Sequence, residues 1–217
     1  MDRKEFIAYK RNMAVQRYNE IFSKDYDLNW GRIESVHKEN LESLLKTLPK
    51  CPDILDAACG TGKYFSIMKK YDTIITGIDQ SEKMLETAKK KYQDVNVKLL
   101  GMQEISFENK FDAVICMDAM ENIFPEDWEL VIGNFKKSLK ENGILYFTVE
   151  LEDEEVIKDK FNEAVKINLP VKYGEVALEG YHYYPTEEFV KACLVNNGFK
   201  LLKQNKSEGY AHYFAKA

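Results

Sequence analysis

Short apolar segments alternate with amphipathic segments from residue 54 to residue 150, and this alternation restricts the possible folds more than any other feature. The apolar segments are rich in β-branched residues and occupy residues 54–58, 73–78, 95–100, 111–117 and 143–150. Regular alternation of strands and helices implies a mostly parallel sheet with helices on both faces.

The segments between and before these strands predict the helices. Leucines at positions 41, 44, 45 and 48 share one helix face, and Pro49 ends that helix. A helix over residues 63–70 follows the first strand, and Ser81 caps the helix that follows the second. The helix after the fourth strand has an apolar face made of Trp128, Val131, Phe135 and Leu139.

The end of the chain departs from this alternation. A helix is predicted from Pro185-Thr186 to about Asn197, and two extended segments then flank Ser207-Glu208-Gly209. Two extended segments around so short a turn indicate an antiparallel hairpin. We therefore predict an α/β three-layer sandwich, whose seven-stranded, mostly parallel sheet has helices on both faces and an antiparallel C-terminal hairpin strand.

Composition narrows the functional classes. The 217 residues fit one domain, 1–217, and no segment approaches the roughly 20 apolar residues of a membrane span. The first 20 residues lack the apolar core of a secretory signal, so we expect a cytoplasmic protein without a membrane partner. A net charge of −5 argues against a broad nucleic-acid surface. The four cysteines are scattered, so we expect reduced thiols and no metal.

The strongest local signal is the turn over residues 56–62, which joins the first strand to a helix. Gly60 and Gly62 allow backbone angles and a close ligand approach that side chains would block. Asp79 ends the second strand, where an acid can accept hydrogen bonds from both hydroxyls of a ribose. Phe65 takes the place of the third glycine of dinucleotide-binding loops, and the sequence contains no P-loop. The pattern predicts a nucleoside ligand without phosphate.

The sequence ILDAACGTGKYF closely resembles the first motif of class I S-adenosylmethionine-dependent methyltransferases, with Ala58 where the first glycine usually stands. The resemblance continues through GIDQSEKMLETAKKK, LLGMQEISFENKFDAVICMDAMENI and NGILYFTVE, and it covers residues 50–150 well. It implies a Rossmann-like fold and S-adenosyl-L-methionine as cofactor, in the small-molecule branch of the superfamily.

The same resemblance assigns residues to the cofactor. The glycine turn is implied to line the methionine moiety, Asp79 to hold the ribose, and the residues after the second and third strands to surround the adenine. The implied cofactor-binding residues are Asp56, Ala58, Gly60, Thr61, Gly62, Asp79, Gln80, Met84, Met102, Gln103, Met117 and Tyr18. Two alternatives stay open: Asp79 as a helix cap, and Met84 and Met117 as core residues.

The acceptor is expected beneath two segments added to the core. Residues 1–32, which contain all four arginines and Trp30, resemble an N-terminal lid, and one of the arginines is a candidate for gripping a carboxylate. Residues 151–185 are inserted after the fifth strand and include an aromatic cluster. We predict substrate-binding roles for Trp30, Tyr181, His182 and Tyr183, although the cluster also fits the two faces of a strand.

Two residues are candidates for a catalytic base. Many small-molecule relatives carry a histidine at about Asn122, so its replacement makes Glu121 the next candidate, with His182 as a weaker one. The leading hypothesis is methyl transfer to nitrogen or oxygen of a small-molecule acceptor by a monomer or homodimer. The alternatives are a tRNA or protein methyltransferase and a non-catalytic, S-adenosylmethionine-binding regulatory protein.

Overall fold

Two sheets are present in the computed structural model, which describes residues 1–217. The strands, numbered along the chain, are β1 (Asp53–Ala57), β2 (Ile74–Asp79), β3 (Asn96–Leu99), β4 (Phe111–Cys116), β5 (Leu139–Glu150), β6 (Glu175–Val176), β7 (His182–Tyr183), β8 (Lys200–Ser207) and β9 (Tyr210–Lys216). The large sheet has the order β3-β2-β1-β4-β5-β9-β8, and β6 pairs only with β7.

Strands β1 to β5 run parallel, whereas β9 runs antiparallel to both of its neighbours, β5 and β8. The strand order reverses between β1 and β4, because the chain builds outward to β3 and then returns to the other side of β1. Such a reversal leaves a crevice at the carboxyl ends of the strands, where ligands of open α/β sheets bind.

Eight α-helices surround the sheet. They are α1 (Arg3–Arg17), α2 (Ser23–Asn29), α3 (Ser35–Leu45), α4 (Phe65–Met68), α5 (Glu82–Lys91), α6 (Trp128–Ser138), α7 (Glu154–Lys166) and α8 (Glu187–Asn196). No helix in the structure combines the length and the apolar composition needed to cross a bilayer.

Alternate residues of the central strands point into two separate cores, which confirms the predicted three-layer arrangement. In β1, Leu55 joins a core that includes Trp128 of α6, while Ile54 joins a core that includes Leu41 of α3. Strands buried on both faces must be apolar at every position, which explains the continuous apolar segments of the sequence.

Two boundaries differ from the sequence prediction. The helix predicted over residues 63–70 is α4 alone, followed by a 3₁₀ turn, Lys69–Tyr71, and by Asp72 in the left-handed region. Strand β5 begins at Leu139 rather than at residue 143, because Leu139 pairs with Phe111 before an irregularity in the ladder. The polar residues 140–142 conceal this pairing in the sequence.

Both added segments cover the carboxyl end of the sheet. Helix α1 continues through a π-helical turn, Tyr18–Phe22, into α2, and the inserted segment contributes α7, β6 and β7. Arg3 joins them, since its guanidinium donates to Glu126 after β4 and to Glu175 of β6. Glu175 is fully buried, so removal of Arg3 would leave an uncompensated charge.

All four cysteines are free thiols. Cys59, Cys116 and Cys193 are buried in the two cores, and Cys51 is exposed.

Substitutions in helix α6 test how this helix packs against the sheet. Trp128 is fully buried, packs against Phe147, Tyr183 and Phe189, and donates its indole N–H to the carbonyl of Ile123. We expect Trp128→Ala to lower the free energy of unfolding by about 3–5 kcal/mol in urea denaturation.

Leu130 of the same helix is the matched control, because half of its surface is exposed. Leu130→Ala is expected to cost less than about 1 kcal/mol. Equal losses in the two variants would contradict the packing described for α6.

Candidate functional site

A cavity of about 960 Å³ opens at the carboxyl ends of the parallel strands, where the strand order reverses. Its floor comes from the turn after β1, the end of β2 and the loops after β3 and β4. Its roof comes from residues 10–37 and from residues 179–182 of the inserted segment. The cavity is therefore bounded by the core motif below and by both added segments above.

Left-handed backbone shapes the turn after β1. Ala58, Gly60 and Gly62 all have positive φ angles, of 65°, 53° and 77°. A Cβ on Gly62 would lie 2.6 Å from the Phe65 ring, which excludes any side chain there. Ala58 tolerates a conformation that favours glycine, which gives a physical reason for the glycine usually found at this place in the resembling family. The turn exposes main chain rather than side chains to the cavity.

Asp79 lies beside this turn at the end of β2. Its two carboxylate oxygens accept hydrogen bonds from the backbone N–H of Gly60 (2.9 Å) and of Ser81 (2.8 Å). Burial raises the pKa of the Asp79 carboxyl to about 6, although both N–H bonds oppose the shift. The helix cap itself is supplied by Ser81, whose hydroxyl accepts from the Met84 N–H. Asp79 is thus fixed at the cavity edge with remaining acceptor capacity.

The residues predicted around an adenine all reach the cavity. They come from the end of β2, the first turn of α5 and the 3₁₀ turn Met102–Glu104 after β3. Two of them, Met84 and Met102, are also almost completely buried, so each combines a cavity wall with core packing. The Gln103 amide donates to Asp127 at 3.2 Å.

Five of the predicted site residues do not line the cavity. Asp56 and Thr61 are buried beneath it, and the Thr61 hydroxyl donates to Asp27 of α2. Gly62 acts only through the shape of the turn. Met117 belongs to the core formed with α3 and α4. Tyr183 packs against Trp128 and Phe189 in the other core.

Burial of Asp56 raises the pKa of its carboxyl well above the ordinary value, and the nearby Asp79 acts in the same direction. Asp56 therefore lies under the turn as a buried acid, one of whose oxygens has no hydrogen-bond partner.

Three titratable residues meet on the other side of the cavity, and we call this group the acidic pole: Glu121, Glu150 and His182. Glu121 is 5% exposed, its Oε1 accepts one long bond of 3.3 Å from Asn122, and its Oε2 has no partner. Glu150 ends β5, and its Oε2 lies 2.7 Å from Nδ1 of His182 in β7. Burial raises the pKa of Glu121 to about 8, with further increases caused by Glu150 and Asp118.

The predicted aromatic residues divide between roof and wall. Tyr18 lies in the π-helical turn beside Phe22, and burial raises the pKa of its phenol. Trp30 lies at the exposed mouth and contacts Phe22 and Tyr26. Tyr181 is a buried wall residue, which stacks on Phe124 and donates to Glu175.

The structure separates the four arginines into two pairs. Arg3 and Arg11 form ion pairs, with Glu126 and Glu175 and with Asp127 respectively. Arg17 and Arg32 line the cavity and form no ion pair. Arg17 lies over the Phe22 ring, with 4.7 Å between the guanidinium carbon and the ring centroid. Only the second pair is free to meet an anionic group in the cavity.

Sequence reasoning missed the partners of Asp118. This residue follows β4 with a φ of 55°, and its carboxylate accepts from Lys63 and Tyr64 and lies 3.0 Å from Nε2 of His37 in α3. These contacts hold the pKa of Asp118 well below its ordinary value, against the effect of burial. No spacing in the sequence signals a contact between α3 and the end of β4.

Sequence reasoning also missed how the lid attaches. Asn19 accepts from the Ser81 hydroxyl and from the Lys83 N–H, so it supplements the cap of α5. Asp27 bridges the Thr61 hydroxyl (2.6 Å) and the Lys91 ammonium (2.7 Å). Both acceptors lie in the segment predicted as a lid, but only the fold brings their partners within reach.

Comparison with known proteins agrees with this geometry. A family model described as a methyltransferase domain matches residues 55–147. A ubiquinone biosynthesis O-methyltransferase of Histophilus somni is 32% identical over 105 residues, which cover 44% of this chain and 43% of that protein. A carboxy-S-adenosyl-L-methionine synthase of Campylobacter concisus is 27% identical over 176 residues, which cover 74% and 75%. The chain thus spans less than half the length of the O-methyltransferase relatives it matches.

Solved structures share the whole fold at low sequence identity. The magnesium protoporphyrin IX methyltransferase of Synechocystis with bound S-adenosylmethionine has a TM-score of 0.67 and 17% identity, over 95% of this chain and 96% of that one. A didemethyltoxoflavin N1-methyltransferase of Burkholderia thailandensis has a TM-score of 0.68 and 13% identity, over 100% and 90%.

The part of the chain that matches the methyltransferase-domain family, residues 55–147, contains both the glycine turn and Asp79, which lies beside that turn at the cavity edge.

Proposed function

We propose that this protein binds S-adenosylmethionine in the cavity and transfers its methyl group to nitrogen or oxygen of a small-molecule acceptor. One observation carries the proposal: the Gly60 N–H and the Asp79 carboxylate meet at 2.9 Å on the cavity edge. Main chain open to a methionine moiety thereby lies beside an acid suited to a ribose. A volume of about 960 Å³ is at the upper end of the range for small-molecule sites, which suits two ligands.

The residues that line the cavity fit this cofactor. Asp79 would accept from the ribose hydroxyls, and Ala58 and Gly60 would face the methionine moiety. The adenine would lie among Gln80, Met84, Met102 and Gln103. Tyr18 would cover the sulfur from the lid, and Arg17 or Arg32, which form no ion pair, would meet the carboxylate. When bound, S-adenosylmethionine supplies an electrophilic methyl group on a sulfonium.

The chain's own residues then need only to align the acceptor, exclude water and accept a proton. Trp30, Tyr181 and His182 also line the cavity, and we assign them to the acceptor. Glu121 is the candidate base, since it is the buried acid that faces this space. His182 lies against Glu150, which favours a charged imidazole and a positioning role over that of a base. The acceptors named for relatives, magnesium protoporphyrin and didemethyltoxoflavin, are also small molecules.

Ion pairing argues against the tRNA alternative. Arg3 and Arg11, half of the arginines in the basic N-terminal segment, are held by Glu126, Glu175 and Asp127 and are not free for phosphates. The net charge of −5 also argues against binding to a polyanion.

Free thiols support a cytoplasmic location. We also propose that the protein is a monomer or a homodimer.

Calorimetry with S-adenosylhomocysteine tests the cofactor site. Asp79→Ala is expected to weaken binding by about 2–3 kcal/mol, because it removes charge-assisted hydrogen bonds to the ribose. Asp94→Ala, which removes a surface partner of Lys69, should leave the affinity unchanged. Absence of binding to the folded wild-type protein would refute the cofactor proposal, and full affinity of Asp79→Ala would remove this residue from the site.

The raised pKa of Glu121 leads to a second prediction, which concerns the pH dependence of the free energy of unfolding. Its pKa in the folded state, about 8, exceeds the ordinary 4.5. The folded chain therefore holds a proton that the unfolded chain has lost between these values, and stability falls as the pH rises through this window. We expect Glu121→Gln to gain stability relative to wild type as the pH rises, by roughly 2–4 kcal/mol at pH 8 compared with pH 4.5.

Urea denaturation of both proteins at several pH values measures this difference. Glu34→Gln is the control, because Glu34 lies at the cavity rim but is exposed. A pH-independent difference between Glu121→Gln and wild type would show that Glu121 is ionised in the folded protein near its ordinary pKa.

A further inference from the structure

The acidic pole contains more hydrogen-bond acceptors than donors. Oε2 of Glu121 is buried without a hydrogen-bond partner, and Oε2 of Glu150 is buried with His182 Nδ1 at 2.7 Å as an ion-pair contact that lacks hydrogen-bond geometry. A buried carboxyl oxygen without a donor costs about 1–3 kcal/mol, so such groups are usually satisfied. Two of them on one cavity indicate that the missing donors arrive with a ligand.

The position of the pole assigns it to the acceptor rather than to the cofactor. Glu121 follows β4 and Glu150 ends β5, whereas Asp79 ends β2. Three strand spacings separate β2 from β5, roughly 14 Å, with the glycine turn of β1 between them. A ligand held at Asp79 and at the turn leaves the ends of β4 and β5 to a second molecule.

We propose that the acceptor presents an amine nitrogen to Glu121 and Glu150, and that these two residues select nitrogen compounds over alcohols and acids. This inference rests on the proposed methyl transfer. A primary amine supplies two N–H donors, or three when protonated, and so can satisfy both carboxyl groups. A hydroxyl supplies one donor and a carboxylate supplies none.

Burial and charge support the same ligand. Rotation about the last torsion of Glu121 is soft and exchanges its two oxygens, so that either can meet a donor in the cavity. The nearby Asp118 strengthens the negative field, and its own partners are already complete. The cations that face the pole are His182, which lies against Glu150, and Arg17, which is exposed and lies over Phe22. Burial raises the pKa of Glu121, and the neighbouring Glu150 and Asp118 raise it further.

The transfer balances with these residues. The lone pair of a neutral amine forms the new N–CH₃ bond while the bond from the methyl carbon to sulfur breaks, and its electron pair stays on sulfur. The methylated nitrogen becomes positively charged. One of its protons then passes to Glu121 in its ionised form, which becomes the major form above its pKa of about 8, and from there to solvent.

Matched ligands test the selectivity. Protein saturated with S-adenosylhomocysteine would be titrated with tryptamine, tryptophol and indole-3-acetate, which share a ring and differ in the terminal group, and the tyramine–tyrosol pair would be tested likewise. We expect each amine to bind at least roughly tenfold more tightly than its alcohol. Glu121→Gln and Glu150→Gln should each reduce that ratio, and the double variant should abolish it. The affinity for S-adenosylhomocysteine should stay within about twofold.

Glu34→Gln, which removes an exposed rim carboxylate, should keep the full ratio and so exclude a general charge effect. Equal binding of amine and alcohol, tighter binding of indole-3-acetate, or a ratio that survives in the double variant would each overturn the inference. Weak binding of S-adenosylhomocysteine to wild-type protein would instead refute the proposed function. The two failures are distinct because the amine–alcohol ratio can also be measured without that ligand.

Discussion

The carboxylate of Asp79 holds together the two parts of the chain on which the site depends. It accepts from the Gly60 N–H, 19 residues earlier in the sequence, and from the Ser81 N–H at the start of α5. These bonds fix the left-handed turn after β1 against the end of β2, and the N–H of Cys59 adds a third tie through the carbonyl of Ile78. Because the turn is fixed from both sides, its exposed main chain needs no ligand to take its shape, and a preformed site loses less entropy on binding.

The added segments share an apolar core with the sheet, which includes Phe6 of α1 and Tyr181 of the inserted segment, and polar contacts add to this packing. Asn19 and Asp27 attach the lid to α5 and to the glycine turn, and Arg3 ties the lid to the inserted segment through buried Glu175. The two attachments differ in kind. The Arg3 contact leaves a buried charge unpaired when it breaks, whereas the exposed Asp27–Lys91 pair breaks at little cost. The α1 end of the lid is therefore held by a stronger contact than the Asp27–Lys91 ion pair at its α2 end.

Periodicity made most of the fold predictable, because every central strand is buried on both faces and every helix beside the sheet has one apolar face. The prediction of element boundaries failed where a contact with a residue distant in the sequence, rather than the local residues, determines the structure. Residues 140–142 are polar, yet they lie within β5 because Leu139 pairs with Phe111. In the site, the glycine motif predicted Gly60 and Asp79, and the missing family histidine at Asn122 pointed to Glu121; all three line the cavity. The aromatic cluster predicted both His182 and Tyr183 for the acceptor, but alternation along β7 sends His182 to the cavity and Tyr183 to the core, as the alternative of two strand faces implied.

Two acids that follow β4 differ in their hydrogen bonding, and the difference distinguishes a structural residue from a candidate functional one. Asp118 and Glu121 lie three residues apart, and both line the cavity. Asp118 receives hydrogen bonds from Lys63 and Tyr64 and lies against His37, so it stays ionised and connects α3 to the sheet. Glu121 receives one long bond from its neighbour, and burial together with the nearby Glu150 and Asp118 raises its pKa. A buried glutamate with an unpartnered oxygen, such as Glu121, does not stabilise the fold, since an apolar residue in the same place would be more stable. The unsatisfied acid destabilises the free protein, and this is the expected sign of a group that is completed only when its ligand binds.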